Sequence, residues 1–176
     1  MLNSLRLFAP LAALSVSLLA QSPTYHVGRA ATAADIAQRD IVVGADGKGL
    51  PAGEGTAAEG AVVYANRCEE CHGPEGKGAD QVGFLGKPAD LLGDSPKKTV
   101  GSYWPYAAPL WGYVDRAMPF DRPGELTKDQ VYSVVAYILH LNGLIGENDK
   151  LNAETLPKIQ MPNRDGFVPD PRPDAP

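Results

Sequence analysis

Apolar residues recur at helical spacing in two stretches, one on each side of a long segment rich in glycine and proline. In the first, Gly60, Val63, Tyr64 and Arg67 share one face at i, i+3, i+4 and i+7. Thr56-Ala57-Ala58-Glu59 is a capping box at its start, where hydroxyl and carboxylate satisfy otherwise orphan N–H groups, and the helix is predicted to run to about Arg67. In the second, Val131, Val134, Val135 and Ile138 follow the same spacing. Thr127-Lys128-Asp129-Gln130 caps it, Leu126 can staple onto Val131, and Asn142-Gly143 closes it after about Leu141. Gly60 has no side chain, so another helix can come close there. The two helices are expected to cross.

Between them, residues 73–124 read mostly as loop, with one shorter helix that begins at Pro109 and carries Leu110, Tyr113 and Val114 on one face. Residues 21–55 read as an N-terminal extension. Within it Thr32 to Asp35 can cap a short helix, Asp40 to Val43 suggest an extended piece ending in an Asp46-Gly47 turn, and residues 44–55 form a loop. Residues 145–176 carry Pro157, Pro162, Pro169, Pro171, Pro173 and Pro176, and read either as an arm on the surface or as a partly disordered end. The division expected is therefore 1–20, 21–55, 56–144 and 145–176.

The first of these pieces is not fold. Residues 7–20 are an almost unbroken apolar run behind Arg6, with a small residue at Ala20, and this reads as a cleaved export signal. The alternative, an uncleaved membrane anchor, is set against a run of only 14 residues, short for a span. Export would place the protein in the periplasm. The net charge of −5 becomes −6 without Arg6, and no Lys/Arg cluster exists, so nucleic-acid binding is not indicated.

The candidate chemistry lies where the first helix ends, at Cys68-Glu69-Glu70-Cys71-His72. Two thiols about one helical turn apart can add to the two vinyl groups of a haem, and the adjacent imidazole can then ligate the iron. A thioredoxin-like redox pair has no use for the histidine. A zinc site needs a second ligand pair that His26 and His140 do not provide. A disulfide between thiols this close is geometrically awkward. The motif thus points to one covalently bound haem c, held by Cys68 and Cys71, with His72 on the iron. A haem would also give the long loop segment a core to wrap around.

For the other axial position Met118, in Arg116-Ala117-Met118-Pro119-Phe120, leads, on a loop between the short helix and the last one. Met161-Pro162 repeats the dipeptide in the tail, beyond the helix expected to close the pocket. His140, near the end of a helix, reads as a surface or C-terminal capping residue, and His26 lies in the extension. A thioether with an imidazole raises the reduction potential, and two protein ligands suit electron transfer rather than catalysis. Tyr103, Trp104, Tyr106 and Trp111 read as an aromatic cluster packing the haem edge, with Trp104 or Tyr103 as possible donors to a propionate.

These features, a capped helix, C-x-x-C-H, a loop-borne Met-Pro and a terminal helix, resemble class I cytochromes c over residues 56–144. The resemblance implies an all-α fold wrapped round the haem, with thioethers at Cys68 and Cys71 and ligands His72 and Met118. A narrower likeness covers nearly the whole chain after residue 20. It is carried by Tyr25 to Thr32, Asp46 to Pro51, Val100 to Tyr106, Arg116 to Phe120 and Met161 to Phe167. These stretches resemble the cytochrome subunit of Sox-type sulfane dehydrogenase and the monohaem cytochromes of bacterial molybdenum sulfite dehydrogenases. The likeness implies an electron donor subunit holding a molybdenum cofactor and a soluble cytochrome c, or an oxidase, as acceptor. Two-domain members carry a second C-x-x-C-H; this chain has one, which favours a single-haem acceptor for sulfite or a related sulfur substrate. The rival readings are a free periplasmic shuttle serving several dehydrogenases or an oxidase, and a haem enzyme or gas sensor in which Met118 is displaced.

Overall fold

The computed structural model describes residues 25, 27–40, 42–81 and 83–172. The expected export signal and His26 lie outside the described residues, as does Ile41 of the expected extended piece. The chain divides into two compact units, Met1–Ala37 and Gln38–Pro176. In the first, Thr32 caps the start of α1 (Ala33–Arg39) as its sequence predicts. The Asp35 N–H donates to the Thr32 hydroxyl at 3.2 Å, and the Thr32 N–H donates to the Asp35 carboxylate at 2.9 Å. The Arg29 guanidinium beside Asp35, at 2.6 Å, holds that carboxyl well below the usual carboxylate range.

The second unit is built on four helices, α2 (Ala57–Arg67), α3 (Glu69–His72), α4 (Ala108–Ala117) and α5 (Lys128–Leu141). Both capping boxes form. The Glu59 N–H donates to the Thr56 hydroxyl at 3.3 Å and the Thr56 N–H to the Glu59 carboxylate at 2.8 Å. At α5 the matching distances between Thr127 and Gln130 are 3.2 and 2.9 Å. Leu126 and Val131 are both buried, as the staple requires.

Helix α2 lies against α5 so closely that a Cβ on Gly60 would fall 1.9 Å from the Ser133 carbonyl oxygen, and just ahead of α2 one on Gly55 would fall 2.2 Å from the Ser133 hydroxyl. No side chain fits there. Tyr64, one turn on from Gly60, is 1% exposed and packs its ring 5.2 Å from that of Tyr137 on α5. Helix α4 completes the core with Leu110, Trp111 and Val114. Here the expected face needs correcting, because Tyr113 points outward and Trp111 takes the inner position. The indole finds a flat partner in Tyr132, at 5.3 Å between ring centroids, that the phenol at 113 does not reach.

The expected extensions also need correcting. Residues 38–55 and 145–161 belong to the same compact unit as the helices. Val43 is buried and occupies the space beside Gly112, where a Cβ would sit 3.1 Å from the valine side chain. Leu151, Leu156 and Met161 are buried in the same core. Strand β1 (Glu54–Gly55) pairs antiparallel with β2 (Leu151–Asn152), with Glu54 opposite Asn152. The Asp129 carboxylate on α5 accepts from the Glu54 N–H at 2.9 Å, the Tyr132 hydroxyl donates to the Pro51 carbonyl at 2.9 Å, and the Ala58 N–H donates to the Glu147 carbonyl at 3.1 Å. Both flanks are stitched to the helix pair. Among the described residues no helix is long and apolar enough to cross a membrane.

Replacing Gly60 by alanine puts a methyl group into a rigid backbone contact, and overpacking of this kind costs about 1–3 kcal/mol. Gly60→Ala is expected to destabilise the holoprotein by about 1–3 kcal/mol or more and so to lower its urea midpoint. Equilibrium unfolding followed at the haem absorption band measures it.

Candidate functional site

The motif sits on a turn that begins where α2 stops. The Cys68 N–H donates to the Tyr64 carbonyl at 2.8 Å, ending α2, and the next residues wind into α3, a single turn. That turn puts Cys68 at the N-cap of one short helix, Cys71 three residues on inside it and His72 at its end. The His72 N–H and the Cys71 N–H both donate to the Cys68 carbonyl, at 2.9 and 3.2 Å. Cys71 is exposed, Cys68 is half-buried against the core, and the two thiols are not joined. Burial, with the neighbouring Cys71 second, pushes the Cys68 thiol up to about 11.

The chain then reverses at Gly73, whose φ of 75° suits glycine and where a Cβ would strike the Gly78 carbonyl oxygen at 2.3 Å. The reversal is held from three sides. The Gly73 N–H donates to the Glu69 carbonyl at 2.8 Å, the Gly78 N–H to the His72 carbonyl at 2.8 Å, and the Tyr64 hydroxyl to the Gly73 carbonyl at 2.7 Å. The His72 ring lies 4.5 Å from the Phe84 ring, tilted by 35°. Phe84 is in turn anchored through its backbone, its carbonyl accepting from the Gly101 N–H at 3.2 Å and from the Asn142 amide at 3.3 Å. Asn142 also takes the Gly86 N–H at 3.3 Å and donates to the Ile138 carbonyl at 2.9 Å. Sequence reasoning saw Asn142 only as a helix terminator. Its second role, tying the end of α5 to the loop behind His72, spans 58 residues and leaves no local signal.

Met118 is the C-cap of α4, extended at φ −126° and ψ 146°, half-buried against the core and joined to Pro119 by a cis peptide bond. Met161, its rival, is 3% exposed inside the core. The His140 ring nitrogen Nδ1 is 3.1 Å from the Ile145 carbonyl, so its business is the turn after α5, as its position predicts. The loop that follows Met118 is bound back to the end of α2 by Arg67 and Glu125, paired at 2.8 Å.

The four aromatics do not form one cluster. Trp111 pairs with Tyr132, Trp104 lies edge-on to Tyr113 at 6.1 Å, Tyr103 meets Phe167 at 5.2 Å, and Tyr106 lies under the Arg164 guanidinium. The tail supplies partners for two of them. Trp104 and Tyr103 are half-buried. Trp111 is 2% exposed, and its indole N–H meets no acceptor among the described residues.

The residues fit a haem. Unjoined thiols one turn apart precede an imidazole, half-buried apolar groups (Met118, Phe84, Trp104) border the core, and the buried Trp111 donor suits a propionate carboxylate.

Comparison with known proteins agrees in kind. Residues 57–142 match the family model for cytochrome c. No curated protein matches the chain significantly. Among solved structures, a chain of the sulfane dehydrogenase SoxCD from Paracoccus pantotrophus is similar at 36% identity with a TM-score of 0.75, over 86% of this chain and 75% of that one.

Burial pushes the phenols of Tyr64 and Tyr132 from their ordinary 10.0 up to about 12. The unfolded chain therefore releases these protons first, and linkage lowers stability as pH rises between the two values. Denaturant unfolding should show full stability below about pH 10 and a decline towards about pH 12. The Tyr64→Phe/Tyr132→Phe double variant should flatten that decline.

Proposed function

The chain belongs to the cytochrome c family and carries covalently bound haem c, and we propose that it serves in the periplasm as the electron-accepting partner of a molybdenum-containing sulfite or sulfane dehydrogenase, passing electrons on to a soluble cytochrome c. It does no substrate chemistry of its own. The observation that carries this reading is the extent of the likeness to the sulfane dehydrogenase chain. It runs over 86% of this chain, more than the residues 57–142 that the cytochrome c family model matches. In the tail the Asn163 amide donates to the Tyr103 carbonyl at 2.8 Å and fastens Met161 to Phe167 onto the Tyr103–Tyr106 segment. Those are two of the stretches in which the narrower likeness was visible.

We assign Cys68 and Cys71 as the thioether positions, His72 and Met118 as the axial ligands, and Trp104, Tyr103 and Trp111 as candidates for the haem edge. The haem supplies a one-electron couple between ferric and ferrous iron. The chain's own part is to hold that couple. The turn at Gly73 fixes the backbone that bears His72, and the Arg67–Glu125 pair ties the Met118 loop to the helix that ends at Cys68. Met118 stands at the end of an element, half-open, whereas Met161 is surrounded by core.

The flanks also divide under this reading. Residues 38–55 and 145–161 are part of the fold, so a docking role falls to exposed described residues, 168–172 and, in the first unit, 27–34. Val168 is 86% exposed and Phe167 is 49% exposed, in a proline-rich end that offers extended backbone.

Three outcomes test the proposal. Met118→Ala is expected to abolish the sulfur-to-iron charge-transfer band and lower the potential, while Met161→Ala keeps the band and loses about 2–5 kcal/mol of stability as a core truncation; reversal of the two results overturns the ligand assignment. Purified gently from periplasm, the native protein should co-elute with molybdenum and be reduced on addition of sulfite or a sulfane. A lone cytochrome that stays oxidised would make it a general shuttle. Deleting residues 168–176 should weaken the complex without changing the haem spectrum, and unchanged affinity in a titration would remove the tail from the interface.

A further inference from the structure

We propose that Tyr64 is a positioning residue for the axial histidine, linking the packing of α2 on α5 to the reduction potential of the haem. This rests on the assignment of His72 as an iron ligand. Tyr64 is 1% exposed, and its hydroxyl donates at 2.7 Å to the carbonyl of Gly73, the residue that follows His72. The carbonyl of His72 itself is taken by the Gly78 N–H at 2.8 Å. Both backbone acceptors at the ligand's C-terminal side are thereby fixed.

The same tyrosine acts on the imidazole from the side. Its ring meets Phe84 edge-on at 6.3 Å, and Phe84 lies 4.5 Å from the His72 ring. Phe84 cannot drift, because its N–H donates to the Gly76 carbonyl at 2.8 Å and its carbonyl is held by Gly101 and Asn142. Tyr64 therefore touches the residue next to the ligand through its hydroxyl and the ligand's ring wall through its edge. The tyrosine is placed by the close approach at Gly60 and by Tyr137, so a shift of α2 on α5 reaches His72 through a rigid group. A phenylalanine at 64 would keep the ring contacts and remove the shorter of the two hydrogen bonds on the Gly73 carbonyl, leaving only that from the Gly76 N–H at 3.2 Å. Hydrogen bonding and packing around an axial ligand are among the means by which a protein would tune the potential of a haem held there.

The test compares Tyr64→Phe with Tyr137→Phe in the haem-loaded protein. Tyr137 lies in the same aromatic layer, yet none of its hydrogen bonds is part of the turn after His72. Tyr64→Phe is expected to shift the reduction equilibrium against a reference couple by about threefold to tenfold, where tenfold is about 59 mV for one electron. It should also change the ferric low-spin g-values and speed amide exchange at Gly78. Tyr137→Phe should leave all three unchanged. If Tyr64→Phe lowers stability but moves neither potential nor g-values, or if both variants move them alike, the proposal is overturned. The ligand assignment is read separately. If His72→Ala retains the native low-spin spectrum, that assignment fails whatever Tyr64 does.

Discussion

The contact on which the rest depends is the one between the backbone of α2 and the backbone of α5. At Gly60 the two helices meet with no side chain between them, the Ser133 carbonyl occupying the place of a Cβ. Such an approach fixes the relative position of the helices far more narrowly than interdigitated side chains would, because a carbonyl has no alternative rotamer to adopt. Everything that follows in the chain inherits this precision. Tyr64 is placed one turn later, Cys68 one turn after that, and the reversal at Gly73 is then pinned by Tyr64 itself.

The other end of α5 closes the frame. Asn142 ties its last turn to the backbone of Phe84 and Gly86, so the wall beside His72 is held by the helix that α2 packs against. The thiols, the imidazole and the aromatic wall thus belong to one rigid assembly made of two helices and two loops. A carrier of single electrons benefits from this, since a ligand set that hardly moves between oxidation states has little to reorganise.

What was legible in the sequence was what is local. Thr56 with Glu59 and Thr127 with Gln130 gave the starts of α2 and α5, because a capping box is complete within four residues. The missing side chain of Gly60 gave the crossing, and the C-x-x-C-H spacing gave the haem site. What was not legible was long-range pairing. Nothing near Leu151, Leu156 or Met161 says that a proline-rich tail is core, because the partners that bury it, β1 and α5, lie elsewhere in the chain. The inner face of α4 failed for a related reason. Periodicity offered Tyr113 as readily as Trp111, and the ring of Tyr132 decided between them. The aromatic segment likewise looked like one cluster until the tail took Tyr103 and Tyr106 as partners.

The two Met-Pro dipeptides show how far the same local chemistry can diverge. Met161 is a thioether among hydrocarbons, 3% exposed inside the core, where a flexible side chain suits packing. Met118 stands where α4 has just ended and the backbone is already extended. At that position the side chain is released from the helix surface but not yet lost to solvent, and the Arg67–Glu125 pair limits how far its loop can swing. A soft ligand serves an iron only if its backbone is held while its sulfur stays accessible, and the end of a packed helix meets both conditions. The interior of the core meets only the first. By filling the core with Leu156 and Met161 the tail stiffens the helices that would hold the proposed ligands.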